Sequence, residues 1–168
     1  ELDCVMGSFT MTGREAEYRW AGPYLASRQV VAVDPESDIY TLADLEDKIV
    51  AVQSTTKPES ILLNRLNENV PHIKELYSFS DRSYLNPALV EGLVDAMAAH
   101  ESSLLTYEKD YGVTYRILDE PLLEVGLGTA FDINDTRGID VKLTKAYRDM
   151  LADGTMERLV SKYFDDPT

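Results

Sequence analysis

Residues 1–24 read ELDCVMGSFTMTGREAEYRWAGPY. Leu2 to Met6, apolar but for Asp3 and with one cysteine, is ended by Gly7 and reads as a short buried strand. Ser8, Thr10 and Thr12 follow, then Gly13 and Arg14. A strand that ends in glycine and hydroxyls, with a cation close behind, makes a cradle for an anion. Backbone N–H groups and hydroxyls donate to it, and a guanidinium grips a carboxylate through two parallel bonds. The same residues also suit a plain loop with a surface arginine. Gly22-Pro23 marks Trp20 to Tyr24 as a turn. What separates these readings is the order of elements further on.

Val30 to Val33 is a short β-branched strand, ended by Asp34-Pro35. Thr41-Leu42-Ala43-Asp44 has capping-box character and predicts a short helix to Asp47. Ile49 to Gln53 is a second buried strand. Thr56-Lys57-Pro58-Glu59 is a full capping box, with proline in the first turn where its missing N–H costs nothing. The helix it opens carries Ile61, Leu62 and Leu66 on one face. Ile73 to Phe79 reads as a strand, and Asn86-Pro87 as the cap and first turn of a helix running through Leu93. Val94 to Ala99 is a small-residue strand that runs into His100-Glu101. Ser102 or Ser103 then starts a helix to Tyr111, stopped by Gly112, and Tyr115 to Leu118 is a strand. Gly126 to Phe131 is the last strand. Asn134 or Asp135 caps a long helix ended by Gly154. Thr155 caps a final helix with Met156, Leu159, Val160 and Phe164 on one face. Strands alternating with helices at this spacing predict an α/β fold with mostly parallel strands.

With 44% hydrophobic residues in a chain of 168, a packed core is expected. A net charge of −14, from 30 acids against 16 bases, makes nucleic acid and anionic membranes poor partners for the surface as a whole. It leaves room for a local basic pocket. The single Cys4 excludes an internal disulfide; inside an apolar stretch it reads as a buried small hydrophobe. Two histidines and no cysteine cluster give no metal-site spacing, and no cofactor is implied. No apolar run is long enough to span a membrane. The chain opens directly on a strand with no initiator methionine, which suggests a piece of something longer.

Four stretches together resemble one family: DCVMGSFTMTGRE with WAGPY; RQVVAV before TLADLEDKIVAVQSTT; EGLVDAMAAHE; and the tail YRDMLADGTMERLVSKYF. The chain resembles the bacterial family 3 solute-binding proteins, the amino-acid-binding components of uptake transporters. The same module also serves as the sensor domain of membrane-bound kinases and diguanylate cyclases. The resemblance implies two α/β lobes of the periplasmic-binding-protein type 2 fold, with ligand between them. Lobe 1 would take residues 1–32 and 124–168, and lobe 2 residues 33–123. The family's opening strands and helices have no counterpart here, so lobe 1 is expected to be partial and to pair through its bare face with another copy.

The resemblance implies a ligand site that can be followed residue by residue. Arg14 matches the arginine that binds the ligand's α-carboxylate, Thr10 a neighbouring Ser or Thr position, and Ser8 a backbone contact. Thr55-Thr56 matches a Thr pair that opens a lobe 2 helix and touches the carboxylate; the glycine usually before it is missing, and Ser54 stands there. The family's aspartate for the ligand's amino group falls on His100. A neutral imidazole there accepts a hydrogen bond but brings no negative charge. Glu101 would supply the charge if it turned inward. The implied function is an extracytoplasmic binding module for a small carboxylate-bearing solute, most simply an amino acid, on the periplasmic or extracellular face of a bacterial membrane. Its partners would be a permease or its own signalling domains. Two alternatives stay open: a dehydratase-type enzyme on the same fold, with His100 or Glu101 as proton donor, and a non-binding structural copy of the module.

Overall fold

The structure is a computed structural model that describes residues 2–7 and 9–162. In chain order its elements are β1 (Arg19–Val33), β2 (Ile49–Gln53), α1 (Lys57–Asn64), β3 (Glu75–Phe79), α2 (Leu85–Val90), β4 (Ala96–His100), α3 (Glu101–Tyr111), β5 (Arg116–Ile117), β6 (Leu123–Phe131), α4 (Ile139–Ala152) and α5 (Thr155–Val160). Single 3-10 turns stand at Leu42–Leu45 and Arg82–Tyr84. The chain divides into two compact units. One is Arg28–Glu124; the other joins Glu1–Ser27 to Val125–Thr168. Strands β1 and β6 carry the chain from one unit to the other.

In the unit Arg28–Glu124 the sheet order is β3-β2-β4-β1-β5. β2 is parallel to β3 and to β4, while β1 is antiparallel to β4 and β5. The sheet is therefore mixed rather than mostly parallel. The reason is that β1 enters from the other unit, so no βαβ crossover fixes its direction. Alternation along the strands supplies two cores. Val31, Val33, Val50, Val52, Ala96 and Ala98 face Leu42, Leu45, Ile61 and Leu62. Val30, Ala32, Ala51 and Met97 face the other way, onto Leu85, Ala88, Leu89 and Leu104. Each fully buried Val or Leu contributes about 1.5–3 kcal/mol of transfer free energy. A sheet apolar on both faces needs helices on both, and α1 covers one face while α2 and α3 cover the other.

Local chemistry moves several boundaries. Asp44 gathers the N–H groups of Tyr40 and Thr41 and the Thr41 hydroxyl on one carboxylate oxygen. These bonds hold Asp44 below the usual carboxylate range, the Tyr40 contact first. The turn it caps stops after four residues instead of reaching Asp47. Asn86-Pro87 lies inside the first turn of α2, which starts at Leu85 and ends at Val90. The α3 cap is His100, two or three residues ahead of the expected serines. α4 starts after Gly138 in a left-handed conformation, not at Asn134 or Asp135. Asp135 instead binds Arg137, which lowers its carboxyl to about 2. Gly154 precedes α5 directly, and α5 ends at Val160; Phe164 lies outside the described residues.

The other unit departs most from expectation. Leu2 to Met6 is not a strand. Val5 alone bridges Ala130, and Leu2, Val5 and Met6 are exposed. Cys4 is exposed too, so it is not the buried hydrophobe the sequence suggested. Trp20 to Tyr24 lies within β1, with a cis Gly22-Pro23 bond, rather than in a turn. Phe9 and Met11 lie beside β6 through bonds from Met11 N–H to the Gly126 carbonyl (3.0 Å) and from Gly128 N–H to the Phe9 carbonyl (3.1 Å). A Cβ on Gly128 would stand 2.7 Å from Met11 Sδ and 3.0 Å from the Ala21 carbonyl oxygen, so a larger residue would push Met11 aside and crowd the β1 backbone. Ala21, Phe131 and Tyr147 form the small core, with Thr129 Oγ1 and Tyr147 Oη 2.8 Å apart inside it. Arg19 ties β1 to the first turn of α4 through Asp140, at 3.0 and 3.1 Å.

Candidate functional site

The site of the unit Arg28–Glu124 lies where its parallel strands end. Gln53 closes β2 and His100 closes β4. Each strand end leads into a helix N-terminus, α1 after Thr56 and α3 after His100. In open α/β sheets ligands bind outside the carboxyl ends of the strands, where helix N-termini bring partial positive charge. A cavity of about 320 Å³ opens here, lined by Gln29, Gln53, Thr56, Lys57, Arg82, Asn86, His100, Ser103, Tyr107 and Tyr115, with Leu85, Met97 and Leu104 as apolar wall. That volume is at the small end of ligand pockets and matches an amino-acid-sized solute.

Thr56 is the residue before α1, but its hydroxyl donates back to the Gln53 carbonyl (2.6 Å) and caps no helix N–H. Glu59 does not close a box with Thr56 either. Its carboxylate accepts the Thr55 N–H at 2.6 Å. Hydrogen bonding by Ser78, then by Thr55, keeps Glu59 below its ordinary range. Thr55 is exposed and held at φ 63°, a left-handed conformation that β-branched residues resist. It flanks the cavity without lining it. Thr55 thus takes the left-handed conformation that glycine adopts without penalty.

His100 caps α3. Its Nδ1 accepts the Ser102 N–H at 3.3 Å and lies 2.8 Å from Ser102 Oγ. Burial lowers its pKa, so the ring is neutral near pH 7. With Nδ1 accepting, the proton of the neutral ring sits on Nε2, a donor. Glu101, next in sequence, does not line the cavity. Arg28 Nη1 binds its carboxylate at 2.6 Å, and Arg28 also donates to the Asp119 carbonyl at 3.1 Å. Thus Thr56 and His100 share one cavity, while Thr55 and Glu101 stand beside it.

Arg14 and Thr10 belong to the other unit. The Arg14 guanidinium lies 4.7 Å over the Phe9 ring, within an aromatic group that includes Tyr18 and Trp20. It is exposed and pairs with no carboxylate among the described residues. Thr10 bridges Leu127 through the backbone. Ser8 lies outside the described residues. Sequence reasoning missed Gln29, Gln53, Lys57, Arg82, Asn86, Ser103 and Tyr115. The available signal was positional: Gln53 ends β2, and Lys57 and Arg82 come shortly after the ends of the parallel strands β2 and β3. Among the described residues no cluster of His, Cys, Asp or Glu suits a metal ion, and no helix is long and apolar enough to cross a membrane.

No protein-family model matches the chain. It is 31% identical over 178 aligned positions to the Histidine-binding periplasmic protein of Salmonella typhimurium, covering 98% of this chain and 65% of that one. It is 26% identical over 171 positions to the Glutamate-binding protein GluB of Corynebacterium glutamicum, covering 96% and 56%. The chain therefore spans a little over half to about two thirds of the length of these relatives. Among solved structures, the second substrate binding domain of a putative amino acid ABC transporter from Streptococcus pneumoniae superposes with a TM-score of 0.75 at 20% identity, over 96% of this chain and 72% of that one, a likeness of fold. By sequence the chain is similar to amino-acid-binding proteins of the bacterial family 3 solute-binding type, and its fold is the periplasmic-binding-protein type 2 fold.

Proposed function

We propose that the chain is a binding module for a small carboxylate-bearing solute, most simply an amino acid, serving an ABC-type uptake system at the periplasmic or extracellular face of a bacterial membrane. It is a binding protein rather than an enzyme. The observation that carries this reading is the cavity at the ends of β2 and β4, with two helix N-termini and a lining of donors. Relatives named for glutamate and histidine binding support it. Thr56 and His100 are the ligand-facing residues of this cavity. Arg14 is a guanidinium available for a carboxylate, since it pairs with none among the described residues. A permease would receive the ligand. The same chemistry would serve a sensor domain, and the codons following Thr168 in the parent gene decide between the two. A second copy is a further partner, favoured by the exposed Leu2, Met6, Val141 and Leu151.

Titration calorimetry of the chain against the common amino acids tests this. Saturable binding of at least one is expected, weakened by Arg14→Ala and by Thr56→Val. Loss of a charge-assisted contact to a carboxylate should cost about 1.5–3 kcal/mol. The absence of any saturable amino-acid binding would refute the reading.

A further inference from the structure

The cavity of the unit Arg28–Glu124 has no aspartate or glutamate among the described residues that line it. Four acids stand next in sequence to a lining residue, and each is held by another group. Glu101 binds Arg28 Nη1 at 2.6 Å, and Glu59 accepts the Thr55 N–H at 2.6 Å. Asp81 accepts the Ser83 N–H and Glu108 the Tyr115 N–H, both at 2.9 Å. The charged side chains that do line the cavity, Lys57 and Arg82, are cations, and Asp81 beside Arg82 offsets part of that charge.

His100 ends β4 and caps α3 at the wall of this cavity. Its Nδ1 accepts the Ser102 N–H at 3.3 Å, so the proton of the neutral ring is on Nε2. The ring thus presents a donor and no acceptor. An ammonium group is all donor, with no lone pair, and gains nothing from it. A hydroxyl carries lone pairs as well as a proton, so its oxygen can accept from an imidazole N–H. The side-chain acceptors in the lining are neutral, among them Gln29, Gln53 and Ser103, and they take an O–H as well as an N–H. Moving an ammonium from water into such a lining costs more than moving a hydroxyl, because its charge meets no counter-charge there.

We propose that this cavity does not read an α-ammonium group and takes 2-hydroxy carboxylates at least as well as the matching 2-amino acids, with His100 as the residue that sets the preference. The proposal rests on the reading of the chain as a binding module for carboxylate-bearing solutes and names a ligand class for that same site. The carboxylate is common to both kinds of ligand; the substituent on the neighbouring carbon tells them apart.

Matched pairs isolate that substituent: L-alanine with L-lactate, L-leucine with L-2-hydroxyisocaproate, and L-glutamate with L-2-hydroxyglutarate, each titrated calorimetrically into the intact 168-residue chain. In every pair that binds, the 2-hydroxy acid is expected to bind as tightly as its amino partner or more tightly. A site with a counter-charge for the ammonium would instead favour the amino acid by about tenfold or more. His100→Asp supplies that counter-charge and keeps α3 capped, since aspartate is a preferred N-cap. It should shift the ratio within a pair toward the amino acid by about tenfold. An amino acid that binds the parent chain about tenfold more tightly than its hydroxy partner overturns the proposal and leaves the amino-acid-binding reading standing. So does an unchanged ratio in a His100→Asp variant that melts like the parent. If that variant fails to fold, the ratios of the parent chain decide alone. If hydroxy acids alone bind, the proposal holds and the amino-acid reading falls. If no member of any pair and no other amino acid binds, both fall together.

Discussion

The pair Arg28–Glu101 decides whether the acid beside the cavity is free to meet a ligand, and a double-mutant cycle measures it. Nη1 to Oε1 is 2.6 Å, and the two side chains are only 24% and 19% exposed. Arg28 Nη2 also donates to the Asp119 carbonyl at 3.1 Å, and Glu124 lies 3.5 Å from its Nε. A fully exposed pair would contribute about 0.2–1 kcal/mol. This one is largely shielded, short and held in place by a backbone contact, so the appropriate scale is a hydrogen bond between charged groups, about 1.5–3 kcal/mol. Arg28→Gln should destabilise the chain by about 1.5–3 kcal/mol, since it removes a short hydrogen bond between charged groups from a shielded carboxylate. Glu101→Gln keeps the shape and should cost less. The double variant should recover about 1.5 kcal/mol or more relative to the sum of the singles. Urea denaturation of the four proteins, followed by circular dichroism, supplies the cycle. The consequence for function is read in parallel: Glu101→Gln should leave amino-acid affinity unchanged, because that carboxylate is already engaged. A coupling energy below about 0.5 kcal/mol, or a large loss of ligand affinity in Glu101→Gln, would refute the reasoning.

Thr55→Gly should stabilise the chain by about 1 kcal/mol in urea denaturation, because glycine adopts φ 63° without the Cβ penalty; a destabilised variant would mean that the Thr55 hydroxyl bond to the Ser54 carbonyl outweighs the strain. His100 has its folded-state pKa lowered from 6.5 by burial, so the unfolded chain takes up this proton first. Its contribution is complete above about pH 6.5 and is lost as pH falls through the folded value. His100→Asn should therefore flatten the fall in melting temperature between about pH 6.5 and 5, and equal slopes would contradict the assignment. Sedimentation velocity across a concentration series should show self-association through the exposed Leu2, Met6, Val141 and Leu151, and a monomer at every concentration would exclude it.

The central unit was the most legible part of the sequence. Ile49 to Gln53 occupies the range its β-branched run predicted, and the helix after Thr56 follows its proline and apolar face. Periodicity works there because each strand packs apolar residues on both faces and each helix has one. It failed where the chain runs between units. β1 is fifteen residues long, and Gly22-Pro23 lies inside it, because pairing with β6 outweighs local turn chemistry. The direction of β1 was also illegible, since strand order depends on contacts distant in sequence. The capping role of Thr56 was misread for a different reason: the Gln53 carbonyl, three residues back, competes for its hydroxyl. Thr56 and His100 could be named from the resemblance and from strand-to-helix junctions. Tyr115 and Arg82 could not, because only the packing of α2 and α3 over the sheet brings them to the same cavity.

A two-dimensional amide NMR titration of the chain with L-glutamate tests the account most directly. Saturable shifts are expected at Thr56, Lys57, His100, Ser103 and Tyr115, which line one cavity at the ends of β2 and β4. Saturable binding that leaves all five unmoved would contradict it.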